Sequence, residues 1–272
     1  MSATIKTPLP TAAAESYETQ KVPSLFRPLA QATLDTIALP ENARVIDIAC
    51  GTGIVSKLVA ERLPGRGRIV GVDHAAAMIE VAKRGMPSGP HKVDWVVSDV
   101  TDLPFETGTF DLAFLQQGLQ FFPDKPKALA EIRRVLRPGG MLYLTCWRTI
   151  SPLLLAVAES VKRRVGDEAA GAAVKPFSFR DAELIGSLLR DAGFTVEKTS
   201  RLVVHRHLDS VRPAISEEIL GHPIDLGLRD RSDGALEAVV ADVDAALVEY
   251  RRGDGLVFPQ EANLFHAANP AG

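Results

Sequence analysis

From residue 41 onward the chain alternates short apolar runs with segments of helical spacing. Residues 43–49 (ARVIDIA) form an apolar run that ends at a glycine turn. Residues 54–63 then place Val55, Leu58, Val59 and Leu63 at helical intervals. Residues 67–73 predict a second strand, and residues 75–85 a helix that stops at Gly85. Residues 93–99 and 110–117 predict a third and a fourth strand. Residues 124–140 predict a helix with Leu129, Ile132 and Leu136 inward, stopped by Pro138 and two glycines; residues 141–147 predict a fifth strand. Strand and helix in strict alternation mean parallel strands joined by crossover helices. Continuous apolar runs imply strands buried on both faces.

The remainder is less regular. Residues 151–165 and 179–194 predict helices, the second capped by Gly193, and residues 195–208 alternate like a strand. Residues 211–220 and 234–252 predict helices, and 255–268 a last strand with Pro259 marking a bulge. The reading is an α/β fold: a doubly wound, mostly parallel seven-stranded Rossmann-like sheet with an antiparallel last strand and a helical insertion. The whole chain, 1–272, reads as one domain, with a covering segment at 1–40, a ligand-binding core at 41–147, and a C-terminal part at 148–272 that carries the insertion 209–253. Residues 1–15, rich in Ala, Thr and Pro, predict no regular structure.

Composition narrows the function. Net charge is −3 and Lys and Arg are scattered, which gives no electrostatic footprint for nucleic acid. No run of apolar residues is long enough to span a bilayer, and residues 1–20 lack the apolar stretch of a signal peptide. Only Cys50 and Cys146 are present, both in apolar strand-like runs, so a reducing, cytoplasmic setting is expected.

The candidate chemistry centres on residues 45–53, VIDIACGTG: strand, acid, glycine turn, helix. In open α/β sheets ligands bind outside the carboxyl ends of the strands. The glycines let the backbone approach a ligand. Such a turn alone could be a plain tight turn or a nicotinamide-cofactor site. Two features weigh against a dinucleotide: the third glycine of G-x-G-x-x-G is absent, and Asp47 just upstream would repel a pyrophosphate while favouring a cationic ligand. Asp73 ends the second strand, where a carboxylate can accept from two ribose hydroxyls. Asp99 ends the third, where it can accept from an adenine amino group. Asp47 could instead hold a turn amide, His74 could cap the next helix, Met78 could be core, and Asp111 reads as fixing the turn before the fourth strand.

Together VIDIACGTG, GVDHAAAMIEVA, SDVTDLPFETGTFDLAFLQQGLQFFPD and EIRRVLRPGG resemble the motifs of class I S-adenosylmethionine-dependent methyltransferases, of the ubiquinone/menaquinone-biosynthesis type and its small-molecule relatives. The likeness covers about residues 41–147. It implies S-adenosylmethionine as donor and S-adenosylhomocysteine as product. It implies that Asp47, Ala49, Gly51 and Gly53 line the methionine portion, with Thr52 contributing turn contacts. Asp73 would take the ribose diol, with His74 and Met78 near the ribose or adenine. Asp99 would bind the adenine amino group, with Val100 on the ring, and Gln116 would face the methionine ammonium.

The acceptor, methylated on oxygen, nitrogen or carbon, is expected to be a small apolar or aromatic molecule. Its pocket would draw on Tyr17, Phe26, Gln117, Leu119, Phe121, Phe122 and Trp147. The Asn/Asp-Pro-Pro-aromatic stretch of base-amine methyltransferases is absent after the fourth strand. Candidate catalytic groups are Tyr17, and His205 and His207, which share one face of the sixth strand. No metal site is expected, since no His/Cys/Asp cluster has ligand spacing. A homodimer is compatible with the sequence, and nucleic-acid binding and membrane insertion are not expected. The N-terminal segment 15–27 and the helices of 211–252 are expected to close over the donor as a lid. The competing reading is a regulatory or scaffold protein that binds S-adenosylmethionine without transferring methyl.

Overall fold

The computed structural model describes residues 9–86, 89, 91–219, 228 and 234–271. It resolves into two compact units. The first runs from the N-terminal helix to Thr145 and includes Glu183–Ser200 and the chain from Leu264; the second comprises Cys146–Ala182 and Arg201–Asn263.

The first unit begins with α1 (Thr11–Ser16), a π-helical stretch Tyr17–Phe26 and α2 (Arg27–Leu34). Helix at 11–16 departs from the expectation for the N-terminus; residues 1–8 lie outside the described residues. Its stabilisation is tertiary: Ala14 is buried with Ala77, Val81 and Met78. There follow β1 (Arg44–Ile48), α3 (Ile54–Arg62), β2 (Arg68–Asp73), α4 (Ala76–Arg84), β3 (Val93–Val97), β4 (Phe110–Gln116), α5 (Lys125–Val135) and β5 (Leu136–Trp147). β1 pairs in parallel with β2 and β4, β2 with β3, and β4 with β5. Val45, Ile46, Ile48, Ile69 and Val70 are fully buried, as strands covered on both faces require. β3 is at the sheet edge and only half-buried, so the doubly buried expectation fails there.

Residues 136–140 belong to β5 rather than to the preceding helix. The register shifts between Phe110↔Leu136 and Leu112↔Met141, which accommodates the Pro-Gly-Gly as a bulge. The helix can end early because Asn269 supplies a cap: its Nδ2 donates to the carbonyls of Leu136 (2.8 Å), Arg137 (3.2 Å) and Arg133 (3.4 Å).

The chain continues through α6 (Pro152–Arg164), α7 (Asp167–Val174), α8 (Ala182–Asp191), β6 (Thr195–Leu208), α9 (Val211–Ile219), α10 (Ala235–Ala246), β7 (Arg251–Arg252) and β8 (Gly255–Ala268). Strand order in the sheet is β3-β2-β1-β4-β5-β8-β6, so the last strand inserts beside β5. Gly139 donates to Asn269 O, Asn269 to Gly140 O and Arg148 to Glu261 O. One number rises as the other falls, so β8 runs antiparallel to β5. The two-residue β7 adds an eighth strand, antiparallel to β8.

In the second unit α6 and α10 pack through Leu153, Val157, Val161, Val239 and Val243. Asp242 clasps them, accepting from Ser160 Oγ (2.6 Å), Arg163 (3.0 Å) and Arg164 (2.9 Å). The Ser160 bond first, then the two guanidiniums, hold its carboxyl down at about 2. The helix expected over 234–252 ends at Ala246, giving way to a 3-10 turn (Val248–Tyr250) and β7. The rest of the insertion, 220–227 and 229–233, lies outside the described residues, and with it part of the second lid element. No described helix is long and apolar enough to cross a membrane.

Candidate active site

The glycine turn after β1 is built around left-handed backbone: Ala49, Gly51 and Gly53 have φ of +52°, +56° and +84°. At Gly53 the lack of a side chain is required by a neighbour, since a Cβ there would collide with the Trp95 indole, whereas a Cβ on Gly51 would make only an ordinary contact, 3.7 Å from the Tyr17 ring. Trp95, on β3, is a determinant of the turn that sequence reasoning missed.

Two buried acids brace this turn. Asp47 accepts from the Ser56 amide (3.0 Å) and hydroxyl (2.7 Å), which ties β1 to the first turn of α3. Asp47 is only 1% exposed. Burial pushes its carboxyl up to about 7, against the two Ser56 bonds, with Asp73 adding to the rise. Asp73 accepts from Gly51 N–H through Oδ2 and from Ala75 N–H through Oδ1, both at 2.9 Å. Each carboxylate oxygen has a second lone pair, so the side chain retains two acceptor positions, matched to a vicinal diol.

Tyr17 lies over Gly51, buried, its ring stacked on Phe26 at 5.1 Å between centroids. Burial, then the charges of Asp73, Glu18 and Asp47, raise its phenol far above the ordinary value, so the hydroxyl stays protonated. The N-terminal segment is fastened by Glu18 to buried Lys57 (2.9 Å), by Glu15 to Arg84 (2.8 Å), and by Gln116 Nε2 donating to Phe26 O (3.2 Å). Glu18 and Lys57 are further residues that the sequence did not single out.

The remaining cofactor candidates divide by exposure. Thr52 is buried with its hydroxyl oxygen unmatched. His74 is 68% exposed in its side chain, with Nδ1 3.4 Å from Asp73 Oδ1. Met78 is half-buried against Ala14, Ala77 and Val81. Asp99 is exposed and accepts from the Thr101 amide (2.8 Å) and hydroxyl (2.9 Å); these two bonds lower its carboxyl below the ordinary value. Val100 beside it is half-buried. Asp111 is structural, as the sequence suggested: it accepts from Arg44 N–H (2.7 Å) and from Arg137 Nε (2.6 Å).

Among the acceptor candidates, Gln117 follows β4 at φ +55°, buried. Leu119 is not at a ligand surface: the 3-10 turn Leu119–Phe121 turns it fully into the core and leaves Phe121 60% exposed. Phe122 is buried. Trp147 belongs to the second unit, buried and stacked on Phe177 at 5.6 Å. His205 and His207 do share a face, but it is the solvent-facing one; Arg206 between them takes the buried face. Strand alternation therefore leaves both histidines exposed among the described residues. Among the described residues no cluster of His, Cys, Asp or Glu could hold a metal ion.

Residues 45–140 match a family described as a methyltransferase domain. The demethylmenaquinone methyltransferase of Clavibacter sepedonicus is 32% identical over 190 residues, 65% of this chain and 73% of that protein. The chain belongs to the class I S-adenosylmethionine-dependent methyltransferases. The 2-phytyl-1,4-naphtoquinone methyltransferase of Thermosynechococcus vestitus is 37% identical over 110 residues, 40% of this chain. This methyltransferase spans about half the length of that relative, 48%. In fold it is similar to phosphoethanolamine N-methyltransferase 2 of Haemonchus contortus in complex with S-adenosyl-L-methionine: 22% identity, TM-score 0.57, covering 96% of this chain and 57% of that one.

The class donor, S-adenosylmethionine, fits the residues present. Asp73 offers the two free acceptor positions a ribose needs, Gly51 leaves the turn bare, and Asp47, Asp73 and Glu18 make the surroundings acidic, suited to a cation. Lys57, the cation of this cluster, is engaged by Glu18.

Proposed function

We propose that this chain transfers a methyl group from S-adenosylmethionine to a small, apolar or aromatic acceptor. The observation that carries the reading is the Asp73 carboxylate, buried, with one backbone amide on each oxygen and the bare Gly51 turn beside it. When bound, the donor would supply a methyl carbon activated by a sulfonium; the acceptor's electron pair would form the new bond, the carbon–sulfur pair would return to sulfur, and the proton displaced from the acceptor would pass to solvent.

The protein's part is then to bind, orient and exclude water. Asp73 holds the ribose diol, Asp99 the adenine edge, and Asp47 fixes the turn. Tyr17, held protonated, serves as a hydrogen-bond donor and not as a base. The segment Thr11–Leu34 acts as the lid, with Tyr17 and Phe26 over the turn and Glu18–Lys57 as its latch. The core 41–147 carries the donor site and a cytoplasmic setting suits the two buried free thiols. The names of the relatives, a 2-phytyl-1,4-naphtoquinone methyltransferase and a demethylmenaquinone methyltransferase, support an aromatic acceptor for this chain.

The test has two stages. Thermal melting with S-adenosylmethionine, S-adenosylhomocysteine and NAD should show stabilisation by the first two alone, since a ligand that binds only the native state raises the melting temperature. Labelled methyl transfer to phenol, amine and carboxylate panels then separates an enzyme from a binder. Stabilisation by NAD alone would overturn the donor assignment, and binding without transfer to any acceptor would overturn the enzyme assignment.

A further inference from the structure

Three glutamines stand within the five residues 116–120: Gln116, Gln117 and Gln120. Each leaves its amide oxygen buried without a protein partner, and Gln117 leaves its amide nitrogen so as well. Gln117 is 6% exposed, and its backbone at φ +55° is left-handed, which a residue with a side chain adopts at a cost. A buried unpaired amide is costly too. Two independent costs at one residue mark a position kept for a ligand rather than for the fold.

The turn is wedged at the carboxyl edge of the sheet. Gln117 N–H donates to Thr145 O at 3.0 Å, at the end of β5. A Cβ on the next residue, Gly118, would come 2.8 Å from the Cβ of Ala49 in the glycine turn. Gln117 thus stands between the donor turn and β5, where an acceptor must approach. Gln116 differs from it, since its Nε2 already donates to Phe26 O. The stretch 116–122, QQGLQFF, holds no ionisable side chain.

We propose that Gln117 is the specificity anchor for the methyl acceptor, and that the acceptor is a neutral ring bearing two oxygens on adjacent carbons, one donating to the amide oxygen and one accepting from the amide N–H. A primary amide presents its acceptor and donor side by side, so a vicinal oxygen pair matches it and a 1,3 pair does not. The spare oxygen of Gln120 favours a further O–H group, while a carboxylate finds no cation in this stretch. The inference rests on the methyltransferase reading and deepens it.

Calorimetric titration of catechol, resorcinol and benzoate into the protein saturated with S-adenosylhomocysteine tests it. Catechol should bind at least about tenfold more tightly than its isomer resorcinol, and benzoate no better than resorcinol. In Gln117→Met the catechol preference should vanish while S-adenosylhomocysteine affinity stays within about twofold, a window that separates this readout from the tenfold one. The melting temperature of unliganded Gln117→Met should not fall, because an apolar side chain of like shape replaces an unpaired amide. Equal or absent binding of the two isomers, a preference that survives Gln117→Met, tighter benzoate, or a fall in melting temperature would each overturn the anchor. Failure of S-adenosylhomocysteine to bind would overturn the methyltransferase reading itself; normal binding without discrimination overturns the anchor alone.

Discussion

Asp73→Asn probes the donor site at the group that carries it. In the folded protein Asp73 accepts from Gly51 N–H and Ala75 N–H, each at 2.9 Å, and has one further lone pair on each oxygen. Asparagine keeps one acceptor oxygen and sets an amide N–H against one of those backbone donors. One charge-assisted loop bond is lost, about 1.5–3 kcal/mol, and the unliganded protein should lose stability on that scale. On the ligand side one of two diol bonds survives. Loss of the other, again about 1.5–3 kcal/mol, corresponds to roughly a ten- to hundredfold weaker dissociation constant at 1.4 kcal/mol per decade. Titration calorimetry with S-adenosylhomocysteine reads the affinity and chemical denaturation reads the fold. Asp99→Asn is the contrast: its carboxylate is exposed, so its loss should cost less than that of Asp73. An unchanged dissociation constant for a folded Asp73→Asn, or a larger effect from Asp99→Asn, would refute the assignment of the ribose to Asp73.

Gly53→Ala should destabilise by roughly 2–4 kcal/mol, from a Cβ forced into Trp95 and a left-handed backbone, and Trp95→Leu in the same chain should recover part of the loss in a thermal melt. Asp47 is an acid whose folded pKa, about 7, lies above its ordinary value, so its contribution is intact below about pH 4 and is lost as pH rises toward and through 7. Asp47→Asn should therefore flatten the stability profile between pH 4 and 7 in denaturant titrations, and an unchanged slope would place the carboxyl's titration elsewhere. Tyr17→Phe keeps the stack on Phe26 and removes only the hydroxyl; kcat/KM should fall while the melting temperature moves little, and the reverse pattern would make Tyr17 a packing residue.

The acids of the candidate donor site were legible because the chemistry proposed there fixes residue types at strand ends. Asp73 and Asp99 stand where parallel strands deliver ligands, and the glycine turn announces itself. What escaped are partners distant in sequence. Glu18 meets Lys57 across 39 positions and Asn269 caps α5 across more than 130, and no local pattern carries such a pairing. The helix at Thr11–Ser16 escaped because its alanines give no large apolar stripe; it folds because Ala14 finds Ala77 and Val81. The histidines of β6 were misplaced for another reason. Alternation states that His205 and His207 share a face but not which face is buried, and here Arg206 took the inner one. Leu119 was named for the acceptor pocket from its place after β4, and the 3-10 turn there points it into the core instead.

The polar groups at the carboxyl edge fall into two kinds, and the division follows the work each side has to do. Asp47, Asp73 and Asp99 are each held by backbone amides or hydroxyls of this chain, so their orientation is set before any ligand arrives. Such groups lose little freedom on binding and suit a donor that never varies. Gln117 and Gln120 instead keep buried atoms that no protein group answers. On the proposed reading, an acceptor that brings the complementary atoms satisfies them, and a ligand with the wrong pattern leaves them unpaired and is rejected for that reason rather than by steric exclusion. Transfer from an already activated methyl asks the protein for alignment more than for acid or base chemistry. On the proposed reading, a donor side rigid through its own hydrogen bonds, opposed by an acceptor side completed only by its substrate, delivers that alignment for the one molecule that satisfies both.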